Sequence, residues 1–259
     1  MKDSKVWQYP AGEIGLRLNP DKEEIPEFLI KSSEDLMTCC LYLNAKLFNS
    51  TPVRKIYLPY MPYSRQDRVV TKGDPAPLDL LASMFRACGV RTIFTDDIHS
   101  KKGIEWFNNL GIVIENRYPK AKFDTTAEHY KNLYGTKNIV LVAPDKGSKE
   151  RVNALNEPHK FPILCLDKVR NKESGQIESI KYDEIAGDEK LPQIFTKTDL
   201  FLVVDDICDG GGTFEEIGKL LKTDFPQAVL GLFVTHGIFS KGFKELNKYY
   251  RYIDWKNKL

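Results

Sequence analysis

Short apolar runs alternate along the chain with longer stretches whose apolar residues recur at helical spacing. Residues 55–60, 90–95, 138–143, 162–166, 200–204 and 229–234 read as strands. Runs with few interleaved polar residues suit strands covered on both faces, the habit of parallel sheets. Residues 33–48 read as a helix, with Ser32 or Ser33 as its cap and Glu34 and Asp35 in the first turn, where the helix dipole favours acids. Residues 77–88 repeat the pattern and halt at Gly89, a suitable C-cap. A third helix, 214–221, follows a run of glycines. Alternating strands and helices predict an α/β protein.

The strand signals fall into two groups. The stretch between them, Lys101 to Gly135, is polar, aromatic-rich and less regular, so two domains are expected, 1–135 and 136–259. Residues 171–197 are charged and show no period, which reads as a mobile loop plus connector.

Composition narrows the partners. The 259 residues are 42% hydrophobic and carry 38 Lys+Arg against 36 Asp+Glu, a net charge of +2. That balance argues against a broad nucleic-acid surface, which usually needs a basic excess. No apolar stretch is long enough to span a bilayer, and Met1–Lys5 is polar, so no membrane partner is expected. The five cysteines include no Cys-x-x-Cys, and an odd number leaves at least one unpaired. A reducing, cytoplasmic setting is expected.

The most informative stretch is 201–213, Phe-Leu-Val-Val-Asp-Asp-Ile-Cys-Asp-Gly-Gly-Gly-Thr, followed by a helix. Glycines let the backbone turn tightly and aim several N–H groups at one point, and the helix start adds partial positive charge. Gly210, Gly211, Gly212 and Thr213 therefore suit a phosphate monoester. Asp205, Asp206 and Asp209 would repel that phosphate. They suit sugar hydroxyls or a hydrated Mg²⁺.

This segment resembles the ribose 5-phosphate loop shared by type I phosphoribosyltransferases and ribose-phosphate pyrophosphokinases. Other stretches resemble the pyrophosphokinases in particular. Residues 60–68, Tyr-Met-Pro-Tyr-Ser-Arg-Gln-Asp-Arg, resemble their nucleotide segment, which assigns Arg65, Gln66, Asp67 and Arg68 to ATP. Guanidinium groups pair bidentately with phosphate oxygens, although such a cluster alone also suits a surface ion-pair network. Asp97-Ile98-His99 resembles the family's metal and triphosphate site. Pro144-Asp145-Lys146-Gly147 resembles its Pro-Asp-x-Gly element, so His99 and Asp145 are implied at Mg²⁺. Lys168-Val169-Arg170 resembles the catalytic Lys-x-Arg, two cations that would neutralise charge on the transferring group. More loosely, residues 7–13 resemble a turn that in relatives reaches a neighbouring subunit's adenine site. That implies roles for Tyr9 and Glu13 and a homo-oligomer.

The resemblance implies two phosphoribosyltransferase-type α/β domains, mainly parallel sheets flanked by helices, with the site at strand C-termini between them. It implies transfer of the β,γ-diphosphate of ATP to the anomeric hydroxyl of ribose 5-phosphate, with Mg²⁺ as cofactor. Two departures matter. The chain starts at the Gly12–Glu13 turn, where the family usually has a strand and helix ahead, so a trimmed first domain is expected. Gly210 stands where the loop usually has threonine, and the lost bulk suggests a second acceptor class, a 5-phosphate-substituted ribose such as ADP-ribose. A base-transferring phosphoribosyltransferase and a catalytically silent regulatory relative are the remaining alternatives.

Overall fold

The computed structural model describes residues 4–18, 25–135, 138–170, 177–183 and 199–259, with the backbone alone for 168–170 and 177–179. The chain divides into two units, Met1–Arg117 and Tyr118–Leu259.

In the first unit, β1 (Ser4–Gln8) and β2 (Ile14–Leu18) form an antiparallel hairpin. Its turn is closed by Tyr9 N donating to Glu13 O and Gly12 N to Tyr9 O, both at 2.8 Å. Helix α1 (Ser33–Phe48) begins where the sequence places it. The Ser32 hydroxyl accepts from Asp35 N at 3.1 Å, and the Asp35 carboxylate accepts from Lys31 N at 3.0 Å. This reciprocal arrangement occupies two otherwise unmet donors. Then follow β3 (Lys55–Leu58), α2 (Pro77–Ala87), β4 (Thr92–Asp96), α3 (Lys101–Asn109) and β5 (Val113–Arg117). The three strands form a parallel sheet in the order β3-β4-β5. Ile56, Leu58, Ile93, Leu78, Leu81, Phe85 and Phe107 fill its core.

The second unit contains α4 (Lys120–Tyr134), β6 (Ile139–Ala143), α5 (Lys149–Asn156), β7 (Ile163–Arg170), β8 (Ile177–Tyr182), β9 (Leu200–Cys208), α6 (Gly212–Asp224), β10 (Val229–Gly237) and β11 (Tyr250–Lys258). The sheet order is β11-β10-β9-β6-β7-β8. All neighbours are parallel except the β7–β8 pair. The unbroken apolar runs are explained by two cores. Leu200, Leu202 and Val204 pack with Phe123, Tyr130, Val152 and Leu155 from α4 and α5. Their alternates Phe201 and Val203 pack with Phe214, Ile217 and Leu221 from α6. Successive side chains of a strand point to opposite faces, so a strand covered twice must be apolar throughout.

The α/β architecture is as the periodicity predicts, and three details differ. The division falls after Arg117, not near residue 135, because Phe123, Ala127 and Tyr130 of α4 belong to the core of β6 and β9. The stretch 101–135 is regular, comprising α3, β5 and α4. The lack of period over 171–197 predicts loop and connector, yet 177–182 form β8, held antiparallel to β7; 171–176 and 184–197 lie outside the described residues. All five cysteines are free thiols. Among the described residues no helix is long and apolar enough to cross a membrane.

Candidate active site

The acceptor-like cradle forms where β9 passes into α6. Gly211 adopts a left-handed φ of 83°, and a Cβ there would lie 3.2 Å from the Leu246 side chain. Conformation and space both require glycine. Helix α6 starts at the next residue with no side-chain cap, so its first N–H groups remain for another acceptor. A Cβ at Gly212 would meet nothing within 4 Å, so the cradle is open above that residue. Thr213 is half-buried at the helix start. An uncapped helix start with its dipole behind it suits an anion.

Asp205 and Asp206 lie on β9, which runs four residues past the expected strand end at Val204. One buried guanidinium serves both: Arg151 on α5 reaches Asp205 Oδ1 at 3.1 Å and Asp206 Oδ1 at 3.5 Å. Asp206 N donates to Asp205 Oδ1 at 2.9 Å. Burial, and then the neighbouring Asp206 charge, push the Asp205 carboxyl well above the usual range; Arg151 opposes them and Asp145 adds to them. Two carboxylates thus share one arginine, with a third, Asp145, near enough to act on Asp205. Asp145, past the end of β6, fixes the start of α5: its Oδ1 accepts from Ser148 N at 3.0 Å and its carbonyl from the Ser148 hydroxyl at 2.7 Å. Asp209 accepts from Ser240 Oγ at 2.6 Å.

Among the described residues no group of three His, Cys, Asp or Glu side chains forms a metal cage. Magnesium rarely asks for one. It keeps several waters and takes one or two carboxylates plus substrate phosphate. Burial first, and then the neighbouring Asp206 and Asp145, raise the Asp205 carboxyl, and acids crowded in this way fit a hydrated dication of that kind.

In the first unit, residues 59–68 leave the C-terminal end of β3 and 97–100 leave that of its parallel neighbour β4, so both lie at one end of the sheet. Met61, Pro62, Ser64 and Asp67 are buried, while Tyr63, Arg65, Gln66 and Arg68 are exposed. Tight turns enforce the alternation, with Ser64 N donating to Met61 O at 3.2 Å and Gln66 N to Tyr63 O at 2.8 Å. Asp67 turns its carboxylate inward. It accepts from Arg68 Nε at 2.9 Å, from Arg68 Nη2 at 3.3 Å and from Ser100 Oγ at 2.6 Å. Its carbonyl accepts from Trp106 Nε1 at 2.9 Å. Burial works against the Asp67 charge, but hydrogen bonds from Arg68 and Ser100 and the nearby Arg68 and His99 hold the carboxyl below its usual value. Ser100 also caps α3 through Gly103 N at 3.1 Å. His99 is exposed between this cap and the buried Asp97, whose φ is 45°.

Tyr9 and Glu13 stand exposed on the β1–β2 turn. Lys168 and Arg170 are the third-last and last residues of β7, opposite Ile180 and Ile177; their side chains lie outside the described residues. The sequence reading missed Arg151 and Ser100. Arg151 lies on α5 shortly after Gly147, and nothing in its local spacing marks it. Its role depends on β9, 54 positions away.

A family model described as the phosphoribosyl transferase domain matches residues 120–259. A ribose-phosphate pyrophosphokinase from Pyrococcus furiosus is 29% identical over 241 residues, spanning 92% of this chain and 79% of that protein. One from Campylobacter jejuni is 26% identical over 250 residues, spanning 93% and 73%. The crystal structure of phosphoribosylpyrophosphate synthetase from Mycobacterium smegmatis superposes with a TM-score of 0.71 at 19% identity, covering 95% of this chain and 76% of that one. That last likeness is one of fold.

Proposed function

Since the chain belongs to the phosphoribosyl transferase domain family, we propose that it is a diphosphotransferase of the ribose-phosphate pyrophosphokinase type. The anomeric hydroxyl of a ribose 5-phosphate unit attacks the β-phosphorus of ATP. The bond from that phosphorus to the α,β-bridging oxygen breaks, AMP leaves with the electron pair, and the hydroxyl proton passes to solvent. A ribose 1-diphosphate and AMP result. The single observation behind this reading is the cradle: an uncapped helix start behind a left-handed Gly211, beside a carboxylate pair held by a buried arginine.

The first N–H groups of α6 and the Thr213 hydroxyl bind the 5-phosphate of the acceptor. Asp206 and Asp209 receive sugar hydroxyls, and Arg151 keeps the carboxylates of β9 aimed and tolerably charged. In the first unit Arg65, Gln66 and Arg68 take the nucleotide, with Arg68 aimed by Asp67, while His99 meets the phosphate chain. Tyr9 and Glu13 serve the nucleotide site of a second copy. In the second unit Asp145 would hold a hydrated Mg²⁺ together with substrate oxygens, and the ion would supply charge neutralisation at the diphosphate; His99 is the candidate metal or phosphate contact of the first unit. Lys168 and Arg170 stabilise the negative charge that spreads over the transferring group.

A second acceptor class follows from Gly210. It has no side chain, and a Cβ there would meet only the flexible Lys241 stem and the Ser240 hydroxyl, so a diphosphate-linked ribose would be admitted by movement of that stem. The test is AMP release by the purified protein with Mg²⁺, ATP and either ribose 5-phosphate or ADP-ribose. Stoichiometric AMP with either acceptor supports the reading and identifies the acceptor. Release of diphosphate from PRPP and a free base without ATP would replace it with a phosphoribosyltransferase. Absence of all these reactions would leave a silent regulatory relative. Lys168→Ala should lower kcat by about 10³-fold, the scale seen when a cation on a transferring phosphoryl group is removed, with acceptor binding by calorimetry unchanged. A near-normal rate would take Lys168 out of the reaction.

A further inference from the structure

The segment after β10 folds onto the cradle. Ile238 N and Phe239 N both donate to Cys208 O, at 2.9 and 3.1 Å, and Ser240 Oγ donates to Asp209. Phe239 takes a left-handed φ of 50°, and its buried ring packs on Phe243 and Trp255 with centroids 4.5 and 5.2 Å away. Gly242 N closes the turn on Phe239 O at 2.8 Å. A left-handed aromatic is costly and persists only where its surroundings fix it. Here the anchored ring fixes the backbone on either side.

The residue that this turn presents is Lys241. Its stem lies over Gly210: a Cβ at that position would stand 3.4 Å from Lys241 Cε and 3.6 Å from Cδ. The stem is thus in van der Waals reach of a short side chain at 210, and the ammonium, one bond beyond Cε, stands beside the loop. Lys241 is exposed and makes no hydrogen bond or ion pair among the described residues. The cradle itself offers neutral N–H groups and one hydroxyl. A cation parked on its backbone supplies what they lack for a charged phosphate.

We propose that Lys241 is a specificity-determining residue whose ammonium donates to an oxygen of the phosphate on the ribose 5-position. The inference rests on reading the cradle as the ribose-phosphate site. The shared chemistry is that phosphate, whether a terminal monoester or part of a diphosphate link, and the lysine discriminates against acceptors without it.

The test compares Lys241→Gln and Lys241→Arg with the unaltered protein. A charge-assisted hydrogen bond contributes enough that Lys241→Gln should raise KM for the phosphorylated acceptor about tenfold. The turnover number and KM for ATP should stay within about twofold, and Lys241→Arg should recover most of the loss, since a second cation can make the same bond. Calorimetry with ribose 5-phosphate, ADP-ribose and unphosphorylated ribose, each without ATP, gives an independent readout. Weaker binding of a phosphorylated ligand to Lys241→Gln, with ribose binding unchanged, supports the proposal even if no AMP is ever released, which would overturn only the diphosphotransferase reading. Equal affinity of Lys241→Gln and the unaltered protein for both phosphorylated ligands overturns it. So does an arginine variant no better than the glutamine one, or an unaltered protein that binds neither phosphorylated ligand.

Discussion

The β9–α6 cradle and the segment after β3 both present groups suited to anionic ligands, and they are built from opposite materials. The cradle uses backbone: Gly211 in a left-handed turn, an uncapped helix start, and carboxylates that crowd one another around Arg151. The β3 segment uses side chains: Arg65, Gln66 and Arg68 are exposed over buried Met61, Pro62, Ser64 and Asp67. The pKa directions of the two central acids oppose each other. Asp205 is pushed up by burial and by Asp206. Asp67, despite burial, is held down by the hydrogen bonds of Arg68 and Ser100. The first region stores electrostatic stress that a bound cation and sugar can relieve. In the second the Asp67 charge is already met by Arg68 and Ser100, and Arg65, Gln66 and Arg68 are exposed.

The largest effect should come from Arg151→Met. Breaking a buried pair strands the remaining charges and costs about 3–5 kcal/mol, read as a lower urea midpoint. The deficit should depend on pH. A raised carboxyl adds stability fully below its unfolded-chain value of about 3.9, and that contribution is lost as pH rises through the folded value. Removing Arg151 raises Asp205 further, so the deficit should be largest at about pH 8 and shrink towards about pH 5. Equal deficits at both would remove Arg151 from the charge balance.

Next comes a glycine pair. Gly211→Ala places a Cβ at φ 83° and 3.2 Å from Leu246, so it should lose about 1–2 kcal/mol as well as acceptor binding. Gly212→Ala has open space and should hold or gain about 0.5–1 kcal/mol, since alanine suits a helix better. It should still weaken the acceptor, because the methyl enters the cradle. If both variants bind ribose 5-phosphate normally, the backbone of this loop is not the anion site.

Much of this was legible in the sequence, and what was not has a physical reason. β6, β9 and β10 announce themselves because both faces of the central strands are covered. β5 and β11 lie at sheet edges, where charged residues such as Glu115, Arg117, Arg251 and Lys256 interrupt the apolar run. The continuation of β9 through Asp205 and Asp206 contradicts local propensity; it pairs with β10 as far as Cys208 and its two acids meet Arg151, contacts that spacing cannot reveal. The glycine turn at Gly211 and the helix start behind it were readable because the glycine signal is local. The inward turn of Asp67 was not, because its partners Ser100 and Trp106 come from a later helix and its cap.

In the β3 segment Asp67→Asn should cost about 1–2 kcal/mol, since one charge-assisted acceptor becomes a donor facing Arg68 or Ser100. The sign with pH is opposite to that of the cradle. A depressed carboxyl contributes stability above its unfolded value and loses it as pH falls through the folded value, so the Asn variant should converge on the parent in acid. KM for ATP should rise with acceptor binding untouched, because Arg68 loses its aim.

The smallest effect on folding belongs to Gln66→Ala. The side chain is exposed and makes no hydrogen bond among the described residues, so stability should shift by less than about 0.5 kcal/mol. Only KM for ATP should move, by roughly the fewfold expected of one neutral hydrogen bond. This variant tests the distinction most cleanly. A cradle residue cannot be altered without touching conformation or buried charge, whereas an outward amide on a rigid base can be removed with its function alone. A measurable fall in the urea midpoint for Gln66→Ala would mean that the β3 segment is also held together by the groups it presents.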